Sequence, residues 1–113
     1  MNDLSRATIA AVSHGYTETL VKNGLKPEWL EDNDARVVTE VAFDLYRRNK
    51  KINALSILVE ASGQLEDVQQ VRHIFSLNGT GDVPAESVVR QVRDSHLVGQ
   101  TQKLKNKMSS LMD

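Results

Sequence analysis

The sequence predicts an all-α protein, a compact bundle of about six helices that ends in a long C-terminal helix or helical hairpin. Apolar residues recur at intervals of three and four positions, the spacing that places side chains on one face of a helix. Alternation of apolar and polar residues, the pattern of a half-buried strand, nowhere persists beyond about four positions. Most glycines fall between the helical segments, namely Gly15, Gly24, Gly63, Gly79 and Gly81.

Composition excludes several classes of protein. The chain has 113 residues, of which 40% are hydrophobic and 26% charged, as in an ordinary globular domain. It has no cysteine, which rules out disulfide scaffolds, thiolate zinc sites and cysteine nucleophiles. A net charge of −1 and 4% aromatic residues argue against a general polyanion binder and a base-stacking surface. Because apolar runs are short and no secretory signal is evident, we expect a cytoplasmic protein.

The N-terminal third predicts two helices and a turn. The first helix covers about residues 3–14 and the second about 17–23, and each ends before a glycine that tolerates a left-handed backbone, Gly15 or Gly24. The single tryptophan, Trp29, follows in a turn and is expected to fill the core. The expected apolar face of the first helix consists of Leu4, Ala7, Thr8, Ala11 and Val12.

Two further helices follow at about residues 34–49 and 53–62. Asp32 or Asn33 is expected to cap the first of these, and Asn53 the second. Gly63 ends the second. The expected core residues are Val38, Val41, Ala42 and Leu45 in one helix and Leu55, Leu58 and Val59 in the other.

A fifth helix is predicted at about residues 65–77, and an exposed loop at 78–82. Pro84 then opens a last helical segment, since proline suits the first turn of a helix. We therefore divide the chain into a globular domain, residues 1–83, and a C-terminal arm, residues 84–113, that leads towards a linker. The expected apolar residues are Leu65, Val68, Val71 and Phe75 in the fifth helix and Val88, Val89, Val92 and Leu97 in the arm.

Apolar spacing continues past Gly99. Thr101, Leu104, Met108 and Leu111 follow one another at intervals of three and four, which is the seam of a helix that packs on another helix. No segment of the sequence remains to cover this seam. Three explanations stay open: the chain continues in a longer protein, the seam dimerises, or the tail folds back at the glycine.

No residue pattern indicates catalysis, a cofactor or a metal. The glycine-rich stretch 79–81 precedes Asp82 and lacks the lysine of a phosphate-binding loop. His14, His73 and His96 lack the spacing of helix-borne metal ligands. A cluster of acidic residues precedes the third helix, where negative charge stabilises the N-terminus, and we interpret it as structural, with a partner contact as the alternative. Its members are Glu28, Glu31, Asp32 and Asp34.

The main basic cluster comprises Arg47, Arg48, Lys50 and Lys51. Three interpretations remain open for it. The cations suit the C-terminus of a helix, where they complement the helix dipole. They are also suited to DNA phosphate or to a protein partner.

The stretch from Trp29 to Phe75 resembles the N-terminal domain of DnaB-type replicative helicases, and the phage branch in particular. An aromatic residue, a helix with an apolar stripe, a basic turn and a hydrophobic–Asn pair that caps the next helix occur in the family's order. The matching pieces are Trp29, the Val38–Tyr46 helix, Lys50-Lys51-Ile52-Asn53, the Leu55–Val59 helix and Gly63-Gln64-Leu65. The opening helix and the closing segment from Ala85 are similarly placed. A Walker lysine and aspartate are missing, so we expect an N-terminal piece of a helicase or a stand-alone relative.

The resemblance implies a non-catalytic collar domain that oligomerises and docks primase or a helicase loader. ATP and Mg are implied only for an ATPase domain that this chain lacks. The implied oligomerisation or partner surface consists of Leu97, Leu104, Met108 and Leu111. The basic cluster is a possible DNA or partner contact, and the alternative function is a small all-α DNA-binding regulator.

Overall fold

The computed structural model describes residues 1–77 and 84–112, with side chains as far as residue 103. All regular structure in these ranges is helical, which confirms the all-α prediction. The loop predicted at 78–82 lies outside the described residues, as do the side chains of Leu104, Met108 and Leu111. The helices are α1 (Asp3–Ser13), α2 (Thr17–Lys22), α3 (Asn33–Arg47), α4 (Ala54–Ala61), α5 (Val68–Ser76) and α6 (Ala85–Met112), with a 3-10 turn at Pro27–Trp29.

Helix α1 is the centre of the bundle, in contact with α3, α5 and α6. The sequence predicts one buried face, and its members Thr8, Ala11 and Val12 are indeed buried, but Ile9 and Ala10 are buried as well. Helices therefore cover α1 on more than one side. The buried hydroxyl of Thr8 donates a hydrogen bond to the carbonyl oxygen of Leu4 at 2.8 Å, so it leaves no unsatisfied polar atom in the core.

Side-chain caps set the N-termini of four helices. Asn2 caps α1, Asp32 caps α3, Asn53 caps α4 and Asp67 caps α5, each by accepting a hydrogen bond from a backbone N–H three residues on. The predicted caps of α3 and α4 are thus confirmed. Helix α5 begins at Val68 rather than at the predicted 65, because the cap is formed by Asp67.

Two glycines take the left-handed conformation that favours this residue. Gly15 has φ of 92° and Gly24 has φ of 80°, and they follow the C-caps of α1 and α2 as predicted. Asn49 takes the same conformation, with φ of 56°, after α3. Each of the three follows the C-cap of a helix, a position where a left-handed residue commonly ends the helix.

The core of α3 is larger than its predicted stripe. Val38, Ala42 and Leu45 are buried as expected, while Val41 is only partly buried. Ala35 and Phe43 are buried in addition.

Trp29 packs against the core, as expected, but does not enter it. Its side chain is only partly buried. It lies at the edge of the bundle, where its ring stacks on that of His96 with centroids 6.1 Å apart. The 3-10 turn that carries it is fastened to α3 by Arg36, whose Nε and Nη2 donate to the carbonyl oxygen of Leu30 at 3.2 and 2.9 Å.

The buried face of α4 differs from the predicted one. Leu55 and Val59, expected in the core, are 72% and 69% exposed. Ile57 and Ala61 are buried instead, and Leu58 is partly buried against the core. The helix is therefore rotated relative to the predicted face.

Helix α6 begins inside the core and continues out of it. Ala85 and three valines, Val88, Val89 and Val92, pack into the same core as α1 and α3. The helix then runs without a break through Gly99. The tail therefore does not fold back at this glycine, which was one of the three explanations for its apolar seam.

Candidate functional site

A groove lined mostly by apolar residues lies between α4 and α5. It encloses about 350 Å³. One wall is formed by α4 and the other by the residues of α5 that face it. The lining residues are Leu55, Leu58, Val59, Ser62, Val68 and Arg72. Neither Arg72 nor the exposure of Leu55 and Val59 was anticipated from the sequence.

The groove exists because its two helices are anchored to different parts of the bundle. Helix α4 packs mainly on α3 and buries Ile57 and Ala61, whereas α5 packs mainly on α1 and buries Val71 and Ile74. Each helix packs one face against the bundle. The space between the two helices is not filled by other side chains of the described residues and forms the groove. The apolar residues that line the groove are consequently open to solvent.

Polar contacts hold the first wall of the groove in place. Asn53 and Ser56 form a reciprocal capping box, with hydrogen bonds of 2.8 and 3.0 Å between each side chain and the other residue's backbone N–H. The guanidinium group of Arg48 bridges Asp44 at 2.9 Å and Glu60 at 3.2 Å, which links the end of α3 to α4. The hydrogen bond to Glu60 and the charge of Asp44 raise the pKa of Arg48 above its ordinary value.

A buried carboxylate holds the start of the second wall. Asp34 is 4% exposed, and its two oxygens accept hydrogen bonds from the backbone N–H groups of Glu66 and Asp67, at 2.7 and 2.8 Å. These amides immediately precede α5. Two members of the acidic cluster therefore have structural roles: Asp32 caps α3, as the sequence favoured, and Asp34 fastens the segment before α5.

A second exposed apolar surface lies on α6, beyond the core. Leu97 and Val98 are 51% and 61% exposed. His96, which stacks on Trp29, directly precedes these two residues in α6. A cleft of about 230 Å³ separates this part of α6 from the 3-10 turn, with charged residues such as Glu28 and Lys103 at its walls. Leu97 is the one member of the predicted oligomerisation surface whose side chain is described.

The residues of the basic cluster lie together at the end of α3. Arg47, Arg48, Lys50 and Lys51 are all exposed where α3 ends and the chain turns towards α4. Arg48 is engaged by Asp44 and Glu60, so its charge is partly neutralised within the protein.

The three histidines are not brought together. Nε2 of His14 lies 2.7 Å from the carbonyl oxygen of Leu77, His96 stacks on the tryptophan, and His73 is exposed on α5. In the part of the chain that the structure describes, no group of three histidine, aspartate or glutamate side chains has the arrangement of a metal site.

Among the described helices, none combines the length and apolar character needed to cross a membrane. No family model, curated protein or solved structure matches the chain.

Proposed function

We propose that this chain is a non-catalytic interaction domain of the replicative-helicase collar type, which self-associates through α6 and docks a protein partner such as primase or a helicase loader. The observation that carries the proposal is the course of α6. The helix starts in the core and leaves it with Leu97 and Val98 exposed.

The length of α6 suits a role outside its own globule. Its 28 residues correspond to about 42 Å of helix. The molecule measures 53 × 28 × 27 Å, so its long dimension is nearly twice the other two. A helix rooted by Val88 and Val92 and extended beyond the bundle presents its distal part to another molecule.

The spacing of apolar residues on α6 favours a second copy of the chain as its partner. Leu97, Thr101, Leu104, Met108 and Leu111 fit the alternating three- and four-residue intervals of a heptad seam. A second copy of the chain carries the same seam and satisfies it symmetrically. The order of six helices with a long closing helix also agrees with what the family resemblance implies.

Measurement of molar mass by light scattering tests this proposal. The wild-type chain is expected to form dimers or larger assemblies at micromolar concentration, and Leu97→Asp or Leu104→Asp to reduce them to monomers, because a buried unpaired carboxylate opposes association. Gln102→Asp adds the same charge on the same helix outside the seam and should leave the mass unchanged. A wild-type chain that stays monomeric at hundreds of micromolar would contradict the proposal.

A second function, DNA binding by a small all-α regulator, is favoured by one observation: Arg47, Lys50 and Lys51 are all exposed in one short segment at the end of α3. Such binding weakens steeply with salt because phosphate contacts release counterions. Titration of a labelled duplex at low salt tests it, with the three residues and Arg48 changed to glutamine as the matched variant. Salt-dependent binding that this variant loses would support the DNA-binding function, whereas no binding at low salt would remove it.

A further inference from the structure

We propose that the groove between α4 and α5 binds one amphipathic α-helix of a partner protein, with apolar anchors one turn apart and acidic residues beside them. The inference rests on the proposed protein-docking role and specifies the surface and the chemistry of the partner. The groove is a different surface from the one through which α6 is proposed to self-associate. An experiment can therefore contradict either proposal without affecting the other.

The apolar anchoring points are provided by α4. Leu55 and Val59 are four positions apart, which puts their side chains about 5–6 Å from each other on one exposed face. Val68 faces them from α5, across the groove. An amphipathic helix laid into such a groove inserts residues at positions i, i+3 or i+4, and i+7. Burial of the leucine and valine then removes from water the two most exposed large apolar side chains among the described residues.

The size of the groove favours a short helix over a second copy of the chain. The eight residues of α4 form about 12 Å of helix, enough for roughly two turns of a bound helix. A stable dimer interface requires about 800 Å² from each partner. Six lining side chains cannot supply that area alone, whereas α6 continues as a helix well beyond Val92, the last of its described side chains that is buried, and so offers a longer surface for the dimer.

Charge favours an acidic partner. Arg72 lines the groove, and within the described residues its side chain forms no ion pair. Glu60, the acidic residue of α4, is already paired with Arg48. The uncompensated charge at the groove is therefore positive, and an aspartate or glutamate beside the apolar anchors of the partner complements it.

The same charge argues against the chain's own tail as the occupant. The segment from Lys103 to Lys107 carries three lysines and no acidic residue. Its approach to Arg72 would place like charges together, which disfavours the complex.

Selection from a displayed library of helical peptides tests the proposal with the full chain as bait. We expect the selected peptides to share apolar residues at i, i+4 and i+7 and a net negative charge. Leu55→Asp and Val59→Asp should each weaken their binding by about tenfold or more, since each variant places a charge at an anchoring point. Arg72→Glu should weaken it too, and replacement of the peptide's acidic residue by lysine should restore it.

Matched controls separate this surface from that of α6. Leu97→Asp should abolish self-association but leave peptide affinity within about twofold, whereas Leu55→Asp should do the reverse. Circular dichroism establishes that each variant is folded. Failure to enrich any peptide, enrichment of basic peptides, or equal binding to Leu55→Asp would overturn the proposal. Loss of the dimer in Leu55→Asp would also overturn it, because the groove would then be the self-association surface.

Discussion

The carboxylate of Asp34, in the first turn of α3, accepts a hydrogen bond from the backbone N–H of Asp67, which lies 33 positions further along the chain. The other carboxylate oxygen accepts from Glu66 at 2.7 Å. Asp67 in turn caps α5 through its own side chain, at 3.0 Å from the N–H of Gln70. One buried side chain of α3 therefore holds the segment from which α5 begins, and with it the second wall of the groove.

Replacement of Asp34 should destabilise the protein markedly. We expect Asp34→Ala to lower the free energy of unfolding by about 1–3 kcal/mol, because two backbone N–H groups lose the charged acceptor that a buried carboxylate provides. Asp34→Asn keeps the volume and one acceptor oxygen and should cost less. Urea denaturation measures both. Glu40→Ala, an exposed acidic residue on the same helix, is the control and should change stability by less than about 0.5 kcal/mol. Equal effects at the two positions would show that Asp34 has no special structural role.

The orientation of α4 predicts a large loss of stability at its buried face and almost none at its exposed face. Ile57→Ala should cost about 2–5 kcal/mol, since it removes a fully buried side chain and leaves a cavity. Leu55→Ala should change stability by less than about 0.5 kcal/mol, because its side chain is already in water. Both replacements introduce the same residue into the same helix, so differences in helix propensity are small. Chemical denaturation measures both. A larger loss of unfolding free energy for Leu55→Ala than for Ile57→Ala would show that the face expected from the sequence is the buried one.

Two glycines should respond oppositely to alanine. Gly99 lies inside α6, and an added Cβ would meet only Oε1 of Glu31, at an ordinary 3.7 Å. Gly99→Ala should therefore stabilise the protein, by up to about 1 kcal/mol, through improved helix propensity. Gly15→Ala should destabilise it, because the φ of 92° is strained for any residue with a Cβ. Thermal melts followed by circular dichroism compare them. A lower melting temperature for Gly99→Ala would indicate a turn in place of a continuous helix.

The stack of Trp29 on His96 can be followed by fluorescence, since the chain has one tryptophan. His96→Ala should uncover one face of the indole, shift its emission to longer wavelength and lower stability by about 0.5–1.5 kcal/mol. His73→Ala removes an exposed imidazole from α5 and should change neither quantity. Unchanged emission from His96→Ala would mean that the two rings do not stack in solution.

Helix boundaries were the most predictable part of the fold, because they depend on residues adjacent in the chain. Asn53 caps α4 and Gly15 follows α1 in the sequence and in the structure alike. A cap requires only a side-chain acceptor and a free N–H three positions on, and a left-handed turn requires only the absence of a Cβ. Both conditions can be read without knowledge of the packing.

The candidate site was much less predictable, because α4 is apolar on almost every side. Six of its eight residues are apolar: Ala54, Leu55, Ile57, Leu58, Val59 and Ala61. Two different faces have the four-residue spacing of a buried stripe, Leu55 with Val59 and Ile57 with Ala61. Periodicity cannot choose between them, and an excess of apolar residues beyond one stripe was the only sequence signal that one face would stay exposed.

The sequence by itself thus determined the helical class, the order of the six helices and most of their ends, since these follow from local spacing, caps and glycines. Only the tertiary structure decided which face of α4 is buried, that Arg72 lines the groove, and that Asp34 holds the start of α5. Each of these depends on contacts between segments remote in the chain. Their energies depend on how α1 and α3 are packed, and no local pattern of residues encodes that arrangement.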